Sequence, residues 1–314
     1  MAEDRLYNDL NHYLRSLYGC RVQKIPIDAG FTCPNRDGTK STQGCIYCNA
    51  YGSGTGAFRR GMPISEQIRQ AKSFLGRRYG ARKFIAYFQS FSNTYAPLPI
   101  LRQRYEEALT DEDIVGLAIG TRPDCISDDI LALLASYQEK YLVWMEYGLQ
   151  SAHDRTLEFI NRGHTVADFI QAVNMTKKAG LPVCAHIILG LPGETKEDML
   201  ETARLVARLD IQGLKIHLLY VVKGCGMGNL FKIGEYTPLT QQEYVDLVCA
   251  VLELIPPDVV IQRLTGDPGP EELVAPLWAR DKMGTINAIK TALKERGSFQ
   301  GKYFSRLKSS RLRF

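Results

Sequence analysis

The 314-residue sequence lacks any apolar run close to the ~20 residues that a membrane-spanning helix needs. Its first residues, MAEDRLYNDLNHYLRSLYG, are polar and contain no apolar core of a signal peptide. Internal repeats and low-complexity linkers are also missing. These absences argue against a membrane or secreted protein and predict a cytoplasmic one that does not bind a membrane.

Acidic residues are missing from the C-terminal stretch GKYFSRLKSSRLRF, which carries five basic ones. One interpretation is a solvated tail. The other is a contact with nucleic-acid phosphates, with aromatic rings available for stacking on bases. The net charge of +5 and the arginine pairs at 59–60 and 77–78 are compatible with either interpretation.

Short apolar runs alternate with amphipathic segments along the chain. Nearly continuous apolar strands that alternate with helices predict a parallel sheet covered by helices. About six such units in series favour a partial, TIM-like (β/α)6 barrel of the α/β class. Helix caps are predicted at Ser65, Ser127, Thr165 and Gly180. The predicted strands are 22–29, 83–90, 114–121, 141–150, 181–190, 214–222 and a possible late one at 259–266, and the predicted helices are 65–79, 99–109, 127–139, 165–179, 196–209 and 240–254.

Three of the eight cysteines, Cys33, Cys45 and Cys48, lie in one loop after the first predicted strand. In a reducing compartment such a cluster more often binds metal or acts in redox chemistry than forms disulfides. A structural zinc site needs four ligands, and no fourth one lies within a few residues. A thioredoxin-like pair would open a helix in a smaller fold. Three thiolates on a cubane cluster instead leave one iron open, which favours an iron–sulfur site.

This loop resembles that of the radical S-adenosylmethionine (SAM) enzymes. Eleven residues separate Cys33 from Cys45, instead of the three that are commonest there, and this spacing with CPNRDGT and GCIYCN resembles the YhcC/YtqA-like radical SAM family. That family is related to the catalytic subunit of Elongator. Further segments resemble the family in the expected order: TRPDCISD, EYGLQSAHDRTL, NRGHT, HIILGLPGET, KIHLLYVVKG, RLTGD and APLWARDK.

The resemblance implies a fold, a pair of cofactors and a reaction. The fold would have an N-terminal helical extension over 1–20, a radical SAM partial barrel over 21–225 and a C-terminal α/β extension with a basic tail over 226–314. Cys33, Cys45 and Cys48 would hold a 4Fe–4S cluster whose open iron binds SAM. Reductive cleavage of SAM would give methionine and a 5′-deoxyadenosyl radical that abstracts hydrogen from the substrate.

The resemblance also suggests roles for other residues. Glu146 and Arg162 would hold the methionine end of SAM, with an ion pair between the two as the alternative. The residues expected to contact SAM are Glu146, Arg162, Gln150, Ser90, His186, Ile188, Gly190 and Leu191. The residues expected to contact the substrate are Arg122, His217 and Lys223, and none is assigned as catalytic.

Kinship to Elongator implies tRNA as the partner. The implied step converts a carboxymethylaminomethyl group to aminomethyl on the wobble (2-thio)uridine. An external electron donor and a downstream methyltransferase would act beside this enzyme. The alternatives are a radical SAM enzyme for a small metabolite and a non-enzymatic, zinc-containing RNA-binding module.

Overall fold

The computed structural model describes residues 5–52, 61–269 and 271–305. The arginines at 59–60 and the tail from residue 306 lie outside the described residues. Along the described part of the chain, none of the helices is long and apolar enough to cross a membrane. The strands are β1 (Val22–Ile27), β2 (Lys83–Phe88), β3 (Ile114–Thr121), β4 (Leu142–Gln150), β5 (Val183–Leu189), β6 (Gly213–Leu218), β7 (Val221–Val222), β8 (Val260–Arg263) and β9 (Leu273–Ala275).

Helices follow the strands in a regular alternation up to β6. Two 3₁₀ turns, Tyr137–Glu139 and Leu277–Arg280, accompany them. The helices are α1 (Leu10–Tyr18), α2 (Ile64–Tyr79), α3 (Leu98–Leu109), α4 (Asp128–Ser136), α5 (Asp154–Phe159), α6 (Val166–Lys178), α7 (Lys196–Arg208), α8 (Met227–Lys232), α9 (Gln241–Leu254) and α10 (Lys282–Glu295).

Seven strands form one parallel sheet in the order β1-β2-β3-β4-β5-β6-β8. The sheet is strongly curled, and a contact between its two edge strands shows this: Lys24 Nζ of β1 donates to Gln262 Oε1 of β8 at 2.6 Å. Helices cover the convex face, where the largest apolar core lies. This arrangement confirms the predicted partial β/α barrel, and β8 is the late strand expected at 259–266.

Side-chain caps hold several helices where the sequence predicted them. Ser127 accepts a hydrogen bond from the Ile130 N–H at the start of α4, and Thr165 forms a reciprocal capping box with Asp168 at the start of α6. Gly180 follows α6 with a φ of +76°, as a C-terminal glycine does. These three predictions are confirmed.

The cap predicted at Ser65 is wrong. Helix α2 already begins at Ile64, with Pro63 in the N-cap position. The Ile64 N–H donates to the Glu107 carboxylate of α3 at 2.8 Å, so a side chain from a neighbouring helix takes the place of a local cap. A contact so distant in sequence leaves no local signal.

Helix α1 closes the amino-terminal end of the barrel. Its Leu14 is 1% exposed and joins an apolar cluster on the concave face of the sheet. Tyr13 meets the Trp144 ring edge-on, with the ring centroids 6.1 Å apart. Asp9, just before the helix, forms a parallel bridge with Ile261 of β8. The polar part of the barrel interior therefore lies toward the carboxyl ends of the strands.

Candidate active site at the carboxyl ends of the strands

A cavity of about 340 Å³ lies at the carboxyl ends of the parallel strands. This is the end at which β/α barrels place their chemistry. Four residues expected to contact SAM or the substrate, Ser90, Gly190, Leu191 and Lys223, are not part of its lining. The expected residues that do line it are Cys33, Cys45, Cys48, Arg122, Glu146, Gln150, Arg162, His186, Ile188 and His217.

The cysteine loop turns sharply at two glycines. Gly38 and Gly44 have φ angles of +94° and +72°, in the left-handed region that glycine adopts without strain. The Gly44 N–H donates to the Asn35 carbonyl at 2.7 Å, and the Cys48 N–H donates to the Cys45 carbonyl at 2.9 Å. These turns fold the first part of the loop back toward the CxxC pair.

The loop is anchored to the NRGHT segment that follows α5. The Ile46 N–H donates to the Ile160 carbonyl at 3.1 Å. The Asn35 amide donates to the Asn161 carbonyl at 2.5 Å, and the Asn161 amide donates to the Gly44 carbonyl at 2.7 Å. Two segments that are more than a hundred residues apart in the sequence thus form one rigid unit around the cysteines.

The buried thiol of Cys45 is surrounded by donors. Arg162 Nη1 and Asn35 Nδ2 each lie 3.6 Å from its Sγ. Burial raises a thiol pKa, but the charge and hydrogen bond of Arg162 outweigh burial, so the pKa of Cys45 is lowered. Because the thiolate and not the thiol binds metal, Arg162 prepares Cys45 as a ligand.

The three cysteines fit a cluster better than a single zinc ion. Cys33, Cys45 and Cys48 are free thiols that line one cavity. Sulfur ligands of one tetrahedral zinc, each about 2.3 Å from the metal, lie about 3.8 Å apart. As the structure places these described residues, the three sulfurs do not all lie within 4.8 Å of one another. The wider spacing suits three corners of an iron–sulfur cluster.

Arg162 is fixed by backbone groups. Its Nη2 donates to the Gly148 carbonyl at 2.9 Å, and its own carbonyl accepts from Arg122 Nη1 at 2.7 Å. Arg122 is in turn held by both oxygens of Asp124 at 2.8 Å. Across the described residues, Arg162 forms no ion pair with Glu146, so the pairing considered as an alternative does not occur.

Replacing Asp124 with asparagine should destabilise the protein by about 2 kcal/mol at neutral pH and much less in acid. Burial raises the pKa of Asp124, but the charges of Arg122 and Lys40 outweigh burial and hold the pKa at about 2. An unfolded aspartate titrates near about 3.9, so the stabilisation is complete above that pH and is lost as the pH falls through about 2.

Urea unfolding between about pH 7 and about pH 2 measures the difference in free energy of unfolding between the wild type and Asp124→Asn. The exposed Asp210, replaced in the same way, serves as the control, since among the described residues its ion pair is with Lys177 at the surface. A difference between Asp124→Asn and wild type that stays constant over this pH range would contradict the described pairing.

Deeper in the barrel, Glu146 is surrounded by nitrogen donors. Its carboxylate has no exposed surface and binds Lys24 Nζ at 2.5 Å, His186 Nε2 at 3.0 Å and the Lys215 ammonium. Burial raises the carboxyl pKa, but the two lysine charges outweigh burial and hold the pKa of Glu146 well below its usual value. A carboxylate offers about four acceptor sites, and these three donors fill three of them.

Two histidines lie beside this carboxylate. The rings of His186 and His217 are 5.2 Å apart, and both line the cavity. Burial and the Lys215 charge lower the pKa of His186 to about 4. Burial and the charge of Arg263 lower the pKa of His217 well below its usual value. Both imidazoles are therefore neutral at physiological pH.

Sequence reasoning missed Lys24, Lys215 and Arg263. Each interrupts or ends an apolar strand, and that is the signal that could have found them: VQKIPI, GLKIHL and VIQR. Strand alternation places Lys215 on the same face as His217. We call this group of five residues the lumen floor: Lys24, Glu146, Lys215, His217 and Arg263.

The four residues outside the lining lie in different surroundings. Gly190 has a φ of +87°, and its carbonyl accepts from the Tyr236 hydroxyl at 3.0 Å. Leu191 is buried in a small apolar cluster, and Ser90 is also buried. Lys223 is exposed. Their contacts with SAM or substrate stay predictions.

Comparison with known families gives a match over most of the chain. Residues 36–206 match the profile of the radical SAM superfamily, and residues 211–295 match that of the radical SAM C-terminal domain. The chain belongs to the radical SAM superfamily. This radical SAM protein is 44% identical to the YtqA protein of Bacillus subtilis over 97% of its own chain and 94% of that protein. The resemblance to the YhcC/YtqA-like family is thereby confirmed.

Similarity to enzymes of tRNA modification is partial. The tRNA uridine(34) acetyltransferase of Dehalococcoides mccartyi is 33% identical over 49% of this radical SAM protein and 33% of the acetyltransferase. The archaeal Methanocaldococcus infernus Elp3 with an N-terminal deletion shares the fold, with a TM-score of 0.66 and 18% identity over 89% of this chain and 64% of that one.

Radical SAM enzymes use a 4Fe–4S cluster and SAM, and the donor set of this radical SAM protein suits both. Three cavity-lining thiols, one of them with its pKa lowered by Arg162, can hold the cluster. The matched segment contains Cys45 and Cys48 and begins three residues after Cys33. The cofactors expected from the resemblance are confirmed at the level of the family.

Proposed function

We propose that this radical SAM enzyme modifies the wobble uridine of tRNA, converting a carboxymethylaminomethyl side chain to aminomethyl on uridine or 2-thiouridine. The observation that carries the proposal is one cavity that joins the three cysteines to Glu146, His217 and Arg263 of the lumen floor, where Lys24 and Lys215 pair with Glu146 from behind the cavity lining. The partial similarity to tRNA uridine(34) acetyltransferase supports tRNA as the substrate class. The acetyl transfer itself is not part of the proposal.

The residues nearest the cysteines bind and orient the cofactors in this proposal. When bound, the cluster and SAM together would supply a 5′-deoxyadenosyl radical that removes hydrogen from the carbon between the amine and the carboxylate of the substrate side chain. Loss of one further electron to the external redox partner and addition of water would then break the C–N bond, release the two carboxymethyl carbons as glyoxylate and leave the aminomethyl group. Arg162 grips the SAM carboxylate through two donors, and the free acceptor site of Glu146 receives an ammonium or a ribose hydroxyl. Gln150 lines the cavity with a φ of +75°, a strained conformation for a residue other than glycine, which supports a ligand-binding role.

The remaining residues of the proposed site divide into two groups. Ser90 and His186 contribute polar contacts to SAM, while Ile188, Leu191 and the backbone of Gly190 pack around its adenine. The residues proposed to contact the substrate are Arg122, His217 and Lys223, which suit an anionic partner.

A tRNA large enough to reach the cavity would also contact the outer surface. Arg77 and Arg78 lie at the end of α2, just before β2 begins, and thus at the amino-terminal end of the sheet. We therefore propose that they contact a part of the tRNA other than the wobble nucleotide. An external electron donor and a separate methyltransferase complete the proposed reaction sequence.

The test uses anaerobically reconstituted enzyme with SAM, dithionite and tRNA from cells that lack the gene for this protein. Nucleoside mass spectrometry should show carboxymethylaminomethyl(thio)uridine decreasing and aminomethyl(thio)uridine increasing, with SAM required. Unchanged nucleosides, together with turnover of a small metabolite in the absence of RNA, would overturn the proposal.

A further inference from the structure

The lumen floor has an unbalanced charge. Lys24 and Lys215 share the single carboxylate of Glu146. Arg263 adds a third cation, and within the described ranges it forms no hydrogen bond or ion pair. Placing an unpaired charge in a partly buried cavity is costly unless a ligand of opposite sign completes it.

The acids nearer the mouth of the cavity already have partners. Asp267 pairs with Lys282 at 2.6 Å, and the Glu272 carboxylate accepts from the Asn49 amide at 3.4 Å. Neither lies within ion-pair distance of Arg263 in the described part of the chain. Neither of these two described acids therefore pairs directly with Arg263, and its guanidinium remains available to a ligand.

A second observation points to the same place. The Nε2 atom of His217 is buried and has no hydrogen-bond partner among the described residues. The ring is neutral at physiological pH, so it has one N–H to donate. The Arg263 charge is close enough to His217 to perturb its titration, and both residues line the cavity. A neutral donor and a guanidinium that face one space can together bind a carboxylate.

We propose that Arg263 and His217 form a carboxylate subsite that receives an acidic end of the substrate. The proposal rests on the proposed function and deepens it: the substrate class is a nucleoside whose side chain ends in a carboxylate. Arg263 binds both oxygens of that group, and the His217 N–H donates to one of them. The side chain then extends from the lumen floor toward the cysteine loop.

SAM also carries a carboxylate, and it is the other possible source of this anion. The proposed function places the SAM carboxylate at Arg162, which contacts Cys45 directly. Arg263 ends β8, next to β6, and its charge lowers the pKa values of His186 and His217. The test must therefore separate binding of SAM from binding of the substrate.

The experiment measures binding to reconstituted holoenzyme by isothermal titration calorimetry, with wild type, Arg263→Gln and Arg263→Lys. The probes are 5-carboxymethylaminomethyluridine, 5-aminomethyluridine and SAM. Wild type should bind the carboxylate nucleoside about tenfold or more tighter than the amine nucleoside. This preference should vanish in Arg263→Gln and partly return in Arg263→Lys. Arg208→Gln, an exposed change on α7, is the matched control.

Two results would overturn the subsite. One is an unchanged preference in Arg263→Gln. The other is a loss of SAM affinity in Arg263→Gln as large as the loss for the nucleoside, which would assign the site to SAM. If wild type binds neither nucleoside, titration with acetate and with the isosteric, uncharged acetamide decides. If acetate binds and its binding requires Arg263, the subsite is supported while the proposed tRNA reaction fails. If acetate binds as weakly as acetamide, the subsite is overturned.

Discussion

Replacing Glu146 with glutamine should lower the free energy of unfolding by about 3–5 kcal/mol at neutral pH. The carboxylate is 0% exposed and is the counter-ion that Lys24 and Lys215 share. Glutamine keeps the shape but removes the charge, so two buried ammonium groups lose their partner. Urea unfolding followed by circular dichroism measures the loss.

The size of this loss should depend on pH in a defined direction. Burial lowers the pKa of Lys24 even though Glu146 raises it, and removing the carboxylate lowers it further. A lysine whose folded pKa lies below its unfolded value binds fewer protons in the native state, so stability rises with pH through that window. The deficit should therefore shrink as the pH rises from neutral toward about 10.

Two further variants serve as controls for the charge network. Glu197→Gln removes a carboxylate that is 62% exposed and paired with Arg204, and it should leave stability nearly unchanged. Adding Lys215→Met to Glu146→Gln restores the original net charge of the network and should recover part of the loss. An equal loss in Glu146→Gln and Glu197→Gln, or a deficit that grows with pH, would contradict the described network.

Local sequence patterns were sufficient to predict the fold and the cysteine loop. Alternating strands and helices led to the partial barrel, because parallel strands that are buried on both faces have a distinctive apolar pattern. The spacing of Cys33, Cys45 and Cys48, with Gly38 and Gly44 between them, pointed to one site because a CxxC pair can bind a single metal centre. Both features depend on neighbours in the sequence.

The lumen floor could not be predicted in the same way. Lys24 and Lys215 are far apart in the sequence, and only the curl of the sheet brings both to Glu146. Sequence reasoning therefore considered a pair between Glu146 and Arg162, whose charges are complementary, whereas Arg162 faces Cys45 and Gly148 instead. Which cation meets which carboxylate depends on the side chains that fill the barrel, and the strand pattern alone does not contain that information.

Replacing Cys45 with alanine should abolish reductive cleavage of SAM and most of the bound iron. Its sulfur is one of three that line the cavity, and it is the one that Arg162 and Asn35 hold through hydrogen bonds. With two thiolates left, the cluster loses one of its three protein ligands, and the Arg162 guanidinium loses one of its two acceptors while keeping the Gly148 carbonyl. Iron and sulfide analysis and 5′-deoxyadenosine formation with dithionite, both after anaerobic reconstitution, measure the effect.

Cys20→Ala is the matched control, because it also removes one thiol. Cys20 follows α1 at the amino-terminal end of the barrel, away from the cavity. This variant should retain the iron content and the SAM cleavage of the wild type.

Since Cys45→Ala removes a partner of a buried arginine, its circular dichroism and its thermal unfolding must be compared with those of wild type. A folded Cys45→Ala protein that still binds a full complement of iron and cleaves SAM would show that Cys45 is not a cluster ligand. A folded variant without iron or cleavage, beside an active Cys20→Ala, would establish Cys45 as part of the cluster site.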